Sequence, residues 1–187
     1  MIMTLEGPMG SGKTLSAVAL AVNEKTQRDK RIMSNIRLNG IDYQLFDQDY
    51  LIRNIESSTI FFDCSIILDN AYLYADSRRS QSNFNRIFSY LILQSRRRNV
   101  DIYITVPDLK MLDVRIRNSV DSRGKCRYNS ITHIVFIRVH DLLTNVRATF
   151  RFDLDDYFKY VDLTIPIVGN SNIIGEIVRD SNYDLIM

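Results

Sequence analysis

Continuous apolar runs alternate with amphipathic segments along the first two thirds of the chain. The runs predict buried strands, and they are MIMTLE, RIMSNIRL, SIILD and VDIYITVP. Apolar residues recur at helical spacing in TLSAVALAVNEKTQRDK and again from Ser82 or Asn83 to about Arg98, so both segments are predicted helices. Shorter helices are expected around 49–57 and within LKMLDVRIRNSV. Strands that alternate with helices predict an α/β domain with a mostly parallel central sheet.

After residue 121, apolar and polar residues alternate along the chain instead of forming continuous apolar runs. The segments THIVFIRVHD and VRATFRFDL alternate apolar and polar residues, and DLLTN between them has the composition of a turn. We expect them to form an antiparallel pair at one edge of the sheet, and we interpret SRGKCRYNS before them as a basic turn. The tail from Asp155 predicts no clear element. No repeat or linker interrupts the chain, so the expectation is one domain over 1–187.

Composition narrows the class without deciding the function. The chain has 187 residues, 45% of them apolar, which is enough for a sizeable core. A formal charge of +2 gives no overall polyelectrolyte character, so any nucleic-acid site must depend on local clusters of charge. Cys64 and Cys126 lie far apart without metal-site spacing, so neither a disulfide framework nor a zinc site is expected, and a reducing compartment fits. His133 and His140 show no partner spacing, and structural roles are expected for both. With no leader and no apolar run of membrane-spanning length, we expect a cytoplasmic protein.

The segment GPMGSGKT, residues 7–14, matches the phosphate-binding pattern G-x-x-x-x-G-K-[ST] in full. It lies between a predicted strand and a predicted helix, which is the context that the pattern requires. Glycines let consecutive backbone N–H groups surround a phosphate, and the helix N-terminus favours its negative charge. Lys13 is expected to reach the β- and γ-phosphates of ATP. The predicted nucleotide-binding residues are Gly7, Pro8, Met9, Gly10, Ser11, Gly12, Lys13, Thr14 and Leu15.

A carboxylate at the end of the strand SIIL completes the expected metal site. Asp69 is placed to bind Mg²⁺ together with the hydroxyl of Thr14. The next residue is Asn70, and an amide can orient a water molecule but cannot accept its proton. Glu6, directly before the phosphate loop, is therefore the candidate base, with Asp76 as a further carboxylate near the site. The alternative is that Glu6 forms an ion pair with a nearby lysine or arginine.

The run from Leu68 to Asp121 resembles the core of viral genome-packaging ATPases and zonula occludens toxin-like proteins of the FtsK–HerA branch. The segments that carry the resemblance follow Asp69 in the family's order, and they are DSRR (76–79), QSRRR (94–98), TVP (105–107) and DVRIR (113–117). The resemblance implies a P-loop NTPase of the ASCE/RecA-like type, with helices flanking its sheet. It further implies a homo-oligomeric ring that hydrolyses ATP with Mg²⁺ and moves double-stranded DNA into a viral capsid. A capsid or membrane protein at the portal vertex is the implied partner, and the host cytoplasm or the virion the implied location.

Two departures from the family pattern bear on hydrolysis. Asn70 stands where the family usually has glutamate, and Pro107 stands where a glutamine would sense the γ-phosphate. Thr105 remains at the same strand end and is kept, with Lys13 and Asn70, among the candidate catalytic residues. Both departures predict slow or rerouted hydrolysis rather than lost binding.

Arginines are the remaining candidates for chemistry. A ring ATPase takes an arginine from a neighbouring subunit to stabilise the transition state, and Arg115 or Arg117 is the favoured candidate here. The other candidates are Arg78, Arg79, Arg96, Arg97 and Arg98. A second basic group, in the predicted turn, comprises Arg123, Lys125 and Arg127. It suits either contact with DNA phosphates or simple exposure to solvent.

Two other functions remain open at this level. LEGPMGSGKT resembles the start of thymidylate kinases, where a glutamate also precedes the loop, although no lid segment is evident. The chain could equally use ATP as a structural or switching ligand in an assembly protein with weak hydrolysis. The leading hypothesis is the DNA-translocating ATPase.

Overall fold

The structure, a computed structural model, describes residues 1–55, 57, 59–73, 75 and 83–162. Within these residues the strands are β1 (Ile2–Glu6), β2 (Arg31–Ser34), β3 (Gln44–Leu45), β4 (Cys64–Leu68), β5 (Asp101–Val106), β6 (Ser122–Asn129), β7 (Ile134–Asp141) and β8 (Arg147–Asp153). The helices are α1 (Lys13–Arg28), α2 (Gln48–Asn54), α3 (Asn83–Ser95), α4 (Val114–Arg117) and α5 (Leu154–Phe158). Single 3₁₀ turns occupy Ala71–Leu73 and Leu109–Met111.

All the strands belong to one sheet in the order β3-β2-β4-β5-β1-β6-β7-β8. The first six strands in this order, which end with β6, run parallel to one another. Strand β7 pairs antiparallel with β6, and β8 pairs antiparallel with β7. Strand β5 lies between β1 and β4, with Thr105 opposite Leu5 and Ile104 opposite Leu68. The carboxyl ends of these three strands therefore meet at one edge of the sheet, where ligands bind in open α/β folds.

Two apolar clusters cover the two faces of the sheet. On one face, α1 packs its buried stripe, which includes Ala17 and Val18, against Leu5, Ile67 and other sheet residues. On the other face, α2, α3 and α4 bury residues such as Leu51, Phe88 and Ile116. Covering both faces explains why the parallel strands read as continuous apolar runs in the sequence.

The predicted fold class is confirmed, and the antiparallel pair at one edge is present. One prediction was wrong, because SRGKCRYNS is not a turn: its first eight residues, Ser122–Asn129, are strand β6, which pairs in parallel with β1. Gly124 and Cys126 lie on its buried face, whereas Arg123 and Lys125 point to the other side. Because the buried positions hold such small residues, the alternation lacked the large apolar side chains that usually mark a strand.

Smaller differences concern where elements end. The predicted strand RIMSNIRL is paired only as far as Ser34, and α3 ends at Ser95 rather than near Arg98. The segment LKMLDVRIRNSV is divided by Leu112, and Asp113 then begins the short α4 by accepting a hydrogen bond from the backbone of Arg115. None of the helices in the described ranges has both the length and the apolar character needed to cross a bilayer.

Candidate nucleotide site

Residues 7–12 form a tight loop that joins β1 to α1. Gly7, Gly10 and Gly12 have φ values of 152°, 74° and 85°, in the region that side chains other than glycine rarely adopt. Gly12 caps the helix, and a Cβ atom there would lie 2.9 Å from Cγ1 of Val135. The conformation of the loop is therefore set by its glycines and by close packing on β7, and the loop leads into the N-terminus of a 16-residue helix, where the first N–H groups have no partner within the helix.

Lys13 and Thr14 occupy the first turn of α1, as the sequence pattern requires. The Nζ atom of Lys13 donates a hydrogen bond of 2.8 Å to the carbonyl oxygen of Pro8, across the loop. This places the ammonium group at the mouth of the loop, within the cleft described below. The hydroxyl of Thr14 points instead toward the end of β4.

The carboxylate of Asp69 is the centre of a hydrogen-bonded array. Its Oδ1 accepts bonds from the hydroxyl of Thr14 at 2.8 Å and from the hydroxyl of Thr105 at 2.7 Å. Its Oδ2 accepts a bond of 3.1 Å from the side-chain amide of Asn70. The structure thus brings together Thr14, Asp69, Asn70 and Thr105, which lie on three separate segments of the sequence.

Asn35, which sequence reasoning missed, fixes the backbone of Asp69. Its side-chain amide donates to the Asp69 carbonyl at 2.9 Å, and its Oδ1 accepts from the Asp69 N–H at 2.7 Å. The only available signal was an asparagine just after an apolar strand, which is too common to interpret. Because the carboxylate is only 2% exposed, burial raises its pKa, although the hydroxyls of Thr105 and Thr14 and the charge of Lys13 oppose the shift.

The donor set at this point fits Mg²⁺. Thr14 Oγ1 and Asp69 Oδ1 are hard oxygen atoms 2.8 Å apart, side by side near the mouth of the phosphate loop. Mg²⁺ commonly takes one or two protein oxygens together with water and substrate phosphates, so this pair has the expected composition. A raised pKa on a buried carboxylate is also what a nearby cation would reverse.

Asn70 has a strained backbone and a defined set of partners. Its φ is 49°, and its N–H donates to the hydroxyl of Thr105 at 2.8 Å. Thr105 therefore links the backbone of residue 70 to the carboxylate of residue 69. The residue also lines the cleft, with Tyr72 and Pro107. Its amide can position a polar group there but cannot take up a proton at neutral pH.

The structure favours the ion-pair interpretation of Glu6 over the catalytic one. Arg123 binds its carboxylate with two parallel hydrogen bonds, from Nε to Oε1 at 2.7 Å and from Nη2 to Oε2 at 2.6 Å. Glu6 shares its face of the sheet with Thr4, whose hydroxyl also donates to it at 3.2 Å. Leu5 between them packs on the α1 face, and alternation from Tyr103 and Ile67 places Thr105 and Asp69 on that same face, so Glu6 points away from Asp69. A bidentate guanidinium occupies both oxygens of the carboxylate and so holds Glu6 in an ion pair.

A cleft of about 550 Å³ opens beside the phosphate loop. The loop and the first turn of α1 form one wall, with Lys13 and Thr14 among the lining residues. Opposite them the lining is apolar and aromatic, from Tyr128 on β6, Phe158 on α5 and Val161 after it. A volume of this size, with polar groups at one end and aromatic groups at the other, suits a nucleoside triphosphate. The aromatic wall was not predicted, because it comes from the segment whose elements the sequence left ambiguous.

The candidate arginines fall into different environments. Arg115 forms an ion pair with the buried Asp113, with 3.0 Å between Nε and Oδ1. Burial would raise the pKa of Asp113, but hydrogen bonds from Arg115 and its charge lower it overall. Arg117, two residues further along α4, is partly exposed. Arg115 is thus engaged by a carboxylate of the same chain.

Two of the three arginines that follow α3 have partners within the described residues. Arg96 forms an ion pair of 2.6 Å with Asp121, and Arg98 donates to the carbonyl oxygens of Ile55 and Ser57. Arg97 is exposed. The DSRR segment, with Arg78 and Arg79, lies outside the described residues, as does Asp76.

Comparisons with known proteins find the same fold. The N-terminal domain of zonular occludens toxin from Neisseria meningitidis is similar in structure, with a TM-score of 0.60 and 16% identity over 86% of this chain and 98% of that one. The genome packaging NTPase B204 of Sulfolobus turreted icosahedral virus 2, in complex with ATP-gammaS, gives a TM-score of 0.57 and 11% identity over 79% and 95% of the two chains. The ATPase domain of G40P gives 0.55 and 11% identity over 87% and 84%.

These likenesses show a P-loop NTPase fold, as the sequence predicted. No curated protein matches the chain. The profile of the Zonular occludens toxin (Zot) family matches residues 1–153, which is most of the chain and includes the phosphate loop, the Asp69 array and all eight described strands. The protein is therefore a member of the Zonular occludens toxin (Zot) family.

Proposed function

We propose that this protein binds ATP with Mg²⁺ and hydrolyses it slowly to move DNA as an oligomeric ring. The observation that carries the proposal is the Thr14–Asp69–Thr105 array at the mouth of a complete phosphate loop. An isolated glycine loop could have other uses, but a buried carboxylate held against the first-turn threonine of α1 is the arrangement that nucleotide hydrolysis by P-loop proteins requires.

Each residue of the array has a role in this proposal. The N–H groups of residues 9–14 and the ammonium of Lys13 bind the β- and γ-phosphates. Thr14 and Asp69 hold the metal ion, which offsets charge on the phosphate oxygens. Thr105 keeps Asp69 oriented, and Asn70 positions the attacking water. The aromatic wall of the cleft contacts the base.

Slow turnover follows from the same geometry. The water-positioning residue is an amide, and the candidate base Glu6 is engaged by Arg123. Replacing Asn70 by glutamate supplies a carboxylate next to Asp69, so Asn70→Glu is expected to raise turnover if residue 70 contacts the water. A Glu6→Gln variant tests the other route, and a loss of activity there would restore Glu6 as the base.

The DNA and ring assignments rest on two further supports. One of the similar structures is described as a genome packaging NTPase, and the arginines of α4 follow β5 in the chain, just after the 3₁₀ turn Leu109–Met111. We infer that Arg117 or Arg115 reaches the nucleotide of a neighbouring copy. Packaging of a viral genome, with a capsid or membrane protein at the portal vertex, in the host cytoplasm or the virion, is the biological setting that we propose.

Phosphate release measured with and without DNA tests the function. The wild type is expected to release phosphate slowly and faster with DNA, and Lys13→Ala to lose at least 90% of the activity because phosphate binding is lost. Lys25→Ala is the matched control, since Lys25 lies on the same helix about 18 Å from Lys13 by the rise of 1.5 Å per residue. Equal rates for Lys13→Ala and Lys25→Ala would refute ATP hydrolysis at this site.

A nucleotide-binding assembly protein is the second candidate, and the amide at position 70 is the observation that favours it. In that case a fluorescent ATP analogue binds with Mg²⁺ but no phosphate is released with or without DNA. Phosphoryl transfer to a nucleoside monophosphate would instead identify a kinase.

A further inference from the structure

Strands β6, β7 and β8 present a basic surface on the face opposite to α1. Alternation places four residues of β6 on that face, the last of them Asn129, in a row with Ile134 on β7 and Asp153 on β8. The first three are Arg123, Lys125 and Arg127. The residues paired with these three on β7 are His140, Arg138 and Phe136, and those on β8 beyond are Arg147, Thr149 and Arg151. We define this set as the basic sheet face. It contains six Arg or Lys residues in a chain whose formal net charge is only +2.

Among the residues that the structure describes, most of these charges have no acidic partner. Arg123 is bound by Glu6, but no salt bridge in the described part of the protein involves the other five cations. Those five are exposed, and they are Lys125, Arg127, Arg138, Arg147 and Arg151. A groove of about 460 Å³ runs over the same strands, and its described lining contains no aspartate or glutamate. An uncompensated surface of this kind attracts a polyanion.

The spacing of the cations suits a linear chain of phosphates. Along β6 they occur at every second residue, about 6.6–6.8 Å apart, because a strand rises 3.3–3.4 Å per residue. The neighbouring strands lie about 4.8 Å away, so cations on β7 and β8 form further rows beside the first. Such rows follow a sugar–phosphate backbone and read no base sequence.

Phe136 gives the surface its second property. It belongs to neither core cluster, it is partly exposed, and it lies directly between Arg127 on β6 and Arg151 on β8. An aromatic ring among cations on a sheet face offers a stacking platform for bases. Base faces are covered by their neighbours in a duplex but can be presented to a protein in a single strand.

We propose that the basic sheet face binds single-stranded nucleic acid, with phosphates on the rows of cations and a base stacked on Phe136. The surface adds a DNA contact to the proposed translocase, but binding here needs no nucleotide. The basic residues within 121–129 therefore lie on a paired strand and not in a loop, and the register of that strand sets the positions of their charges.

The test is fluorescence anisotropy of a labelled 20-nucleotide oligothymidine without ATP, at several salt concentrations. Each lost phosphate contact lowers the affinity about fivefold at 0.1 M salt and reduces the slope of log K against log salt by about 0.7. The Arg138→Gln/Arg147→Gln variant should therefore bind about 25-fold more weakly, with a slope smaller by about 1.4. Arg28→Gln/Arg53→Gln removes two exposed cations of α1 and α2, and it should bind as the wild type does.

A substitution at Phe136 distinguishes the binding of single-stranded nucleic acid from the binding of a duplex or of a lipid surface. Phe136→Ala should weaken oligothymidine binding roughly 5- to 100-fold without changing the salt slope, because stacking is lost while the phosphate contacts remain. A duplex of equal length should be insensitive to this change. Equal loss in the two double variants, or Phe136→Ala binding like the wild type, would overturn the proposal. So would charge-dependent binding to phosphatidylglycerol vesicles with oligothymidine binding unaffected by Arg138→Gln/Arg147→Gln.

The test of the proposed ATP-driven function is independent of the test of the basic sheet face. Lys13→Ala should bind oligothymidine as tightly as the wild type, since Lys13 lies in the nucleotide cleft and not on the basic sheet face. A protein that binds the oligonucleotide through the basic sheet face but releases no phosphate would refute the translocase and leave this surface assigned.

Discussion

The contact between Gly12 and Val135 gives a stability prediction whose two components can be separated. Gly12 has a φ of 85°, so alanine there takes on a left-handed backbone at a cost of about 1–2 kcal/mol. Its Cβ would also lie 2.9 Å and 3.0 Å from the two Cγ atoms of Val135. Overpacking of this kind costs a further 1–3 kcal/mol, approximately. We therefore expect Gly12→Ala to lower the free energy of unfolding by about 2–5 kcal/mol in total.

Gly40 supplies the matched control. Its φ of 63° imposes a similar backbone cost on alanine, but no atom outside its neighbours lies within 4 Å of a Cβ there. Any gain from stiffening the unfolded chain is shared by the two variants, so their difference reports the steric part alone. That difference should be about 1–3 kcal/mol, or roughly 2–12 °C in thermal midpoint for a domain of this size.

Thermal and urea unfolding of the nucleotide-free protein provide the assay. In a Val135→Ala background both Cγ atoms are gone, and the remaining Cβ is 3.6 Å away, which is ordinary contact. Gly12→Ala should then cost no more than Gly40→Ala does, although Val135→Ala is itself destabilising. The reasoning is refuted if Gly12→Ala and Gly40→Ala are equally destabilising, or if the Val135→Ala background leaves the cost of Gly12→Ala unchanged.

Three further predictions concern buried charges and hydroxyls. Asp69→Asn should raise the stability of the metal-free protein by about 1–3 kcal/mol at pH 8, because burial raises the pKa of this carboxyl and the amide carries no charge. The gain should vanish below about pH 4, where the aspartate is protonated in both the folded and the unfolded state. Urea unfolding at pH values between these two checks the sign. Thr105→Val removes the hydroxyl that contacts both the carboxylate and the next backbone N–H, so phosphate release should fall at least tenfold, whereas Thr105→Ser should retain most activity. Lys30→Met removes the 2.6 Å partner of Asp101 Oδ2, while Oδ1 stays bound to the N-terminal ammonium at 2.8 Å, so the variant should cost about 1–3 kcal/mol in urea unfolding. The exposed Arg53→Met should cost less than about 0.5 kcal/mol, and equal costs for the two variants would contradict this.

The parts of the site that could be predicted are those encoded by short local patterns. The phosphate loop is contiguous in sequence, and Asp69 follows an apolar strand, so both were identified without knowledge of contacts. Thr105 was kept only through a family resemblance. Its hydrogen bonds to both residues 69 and 70 depend on the order of β4 and β5 in the sheet, which no local pattern specifies.

The parts that failed depend on distant partners. Strand β6 pairs with β1, more than a hundred residues earlier, and its buried face is made of Gly124 and Cys126, so its sequence alone resembled a basic turn. The same pairing decided the position of Glu6. As a carboxylate before a phosphate loop it was a reasonable base, but the register that sets Arg123 opposite Thr4 also brings the guanidinium to Glu6.

Arg123 belongs to the basic sheet face, and it also binds Glu6, the last residue of the strand that leads into the phosphate loop. A polyanion that draws its guanidinium away from Glu6 changes the charge one residue before Gly7. Thermodynamic reciprocity then applies: whatever factor the polyanion imposes on nucleotide affinity, bound nucleotide imposes on the affinity for the polyanion. Through this one shared arginine, the binding of either ligand would change the affinity for the other without any domain movement.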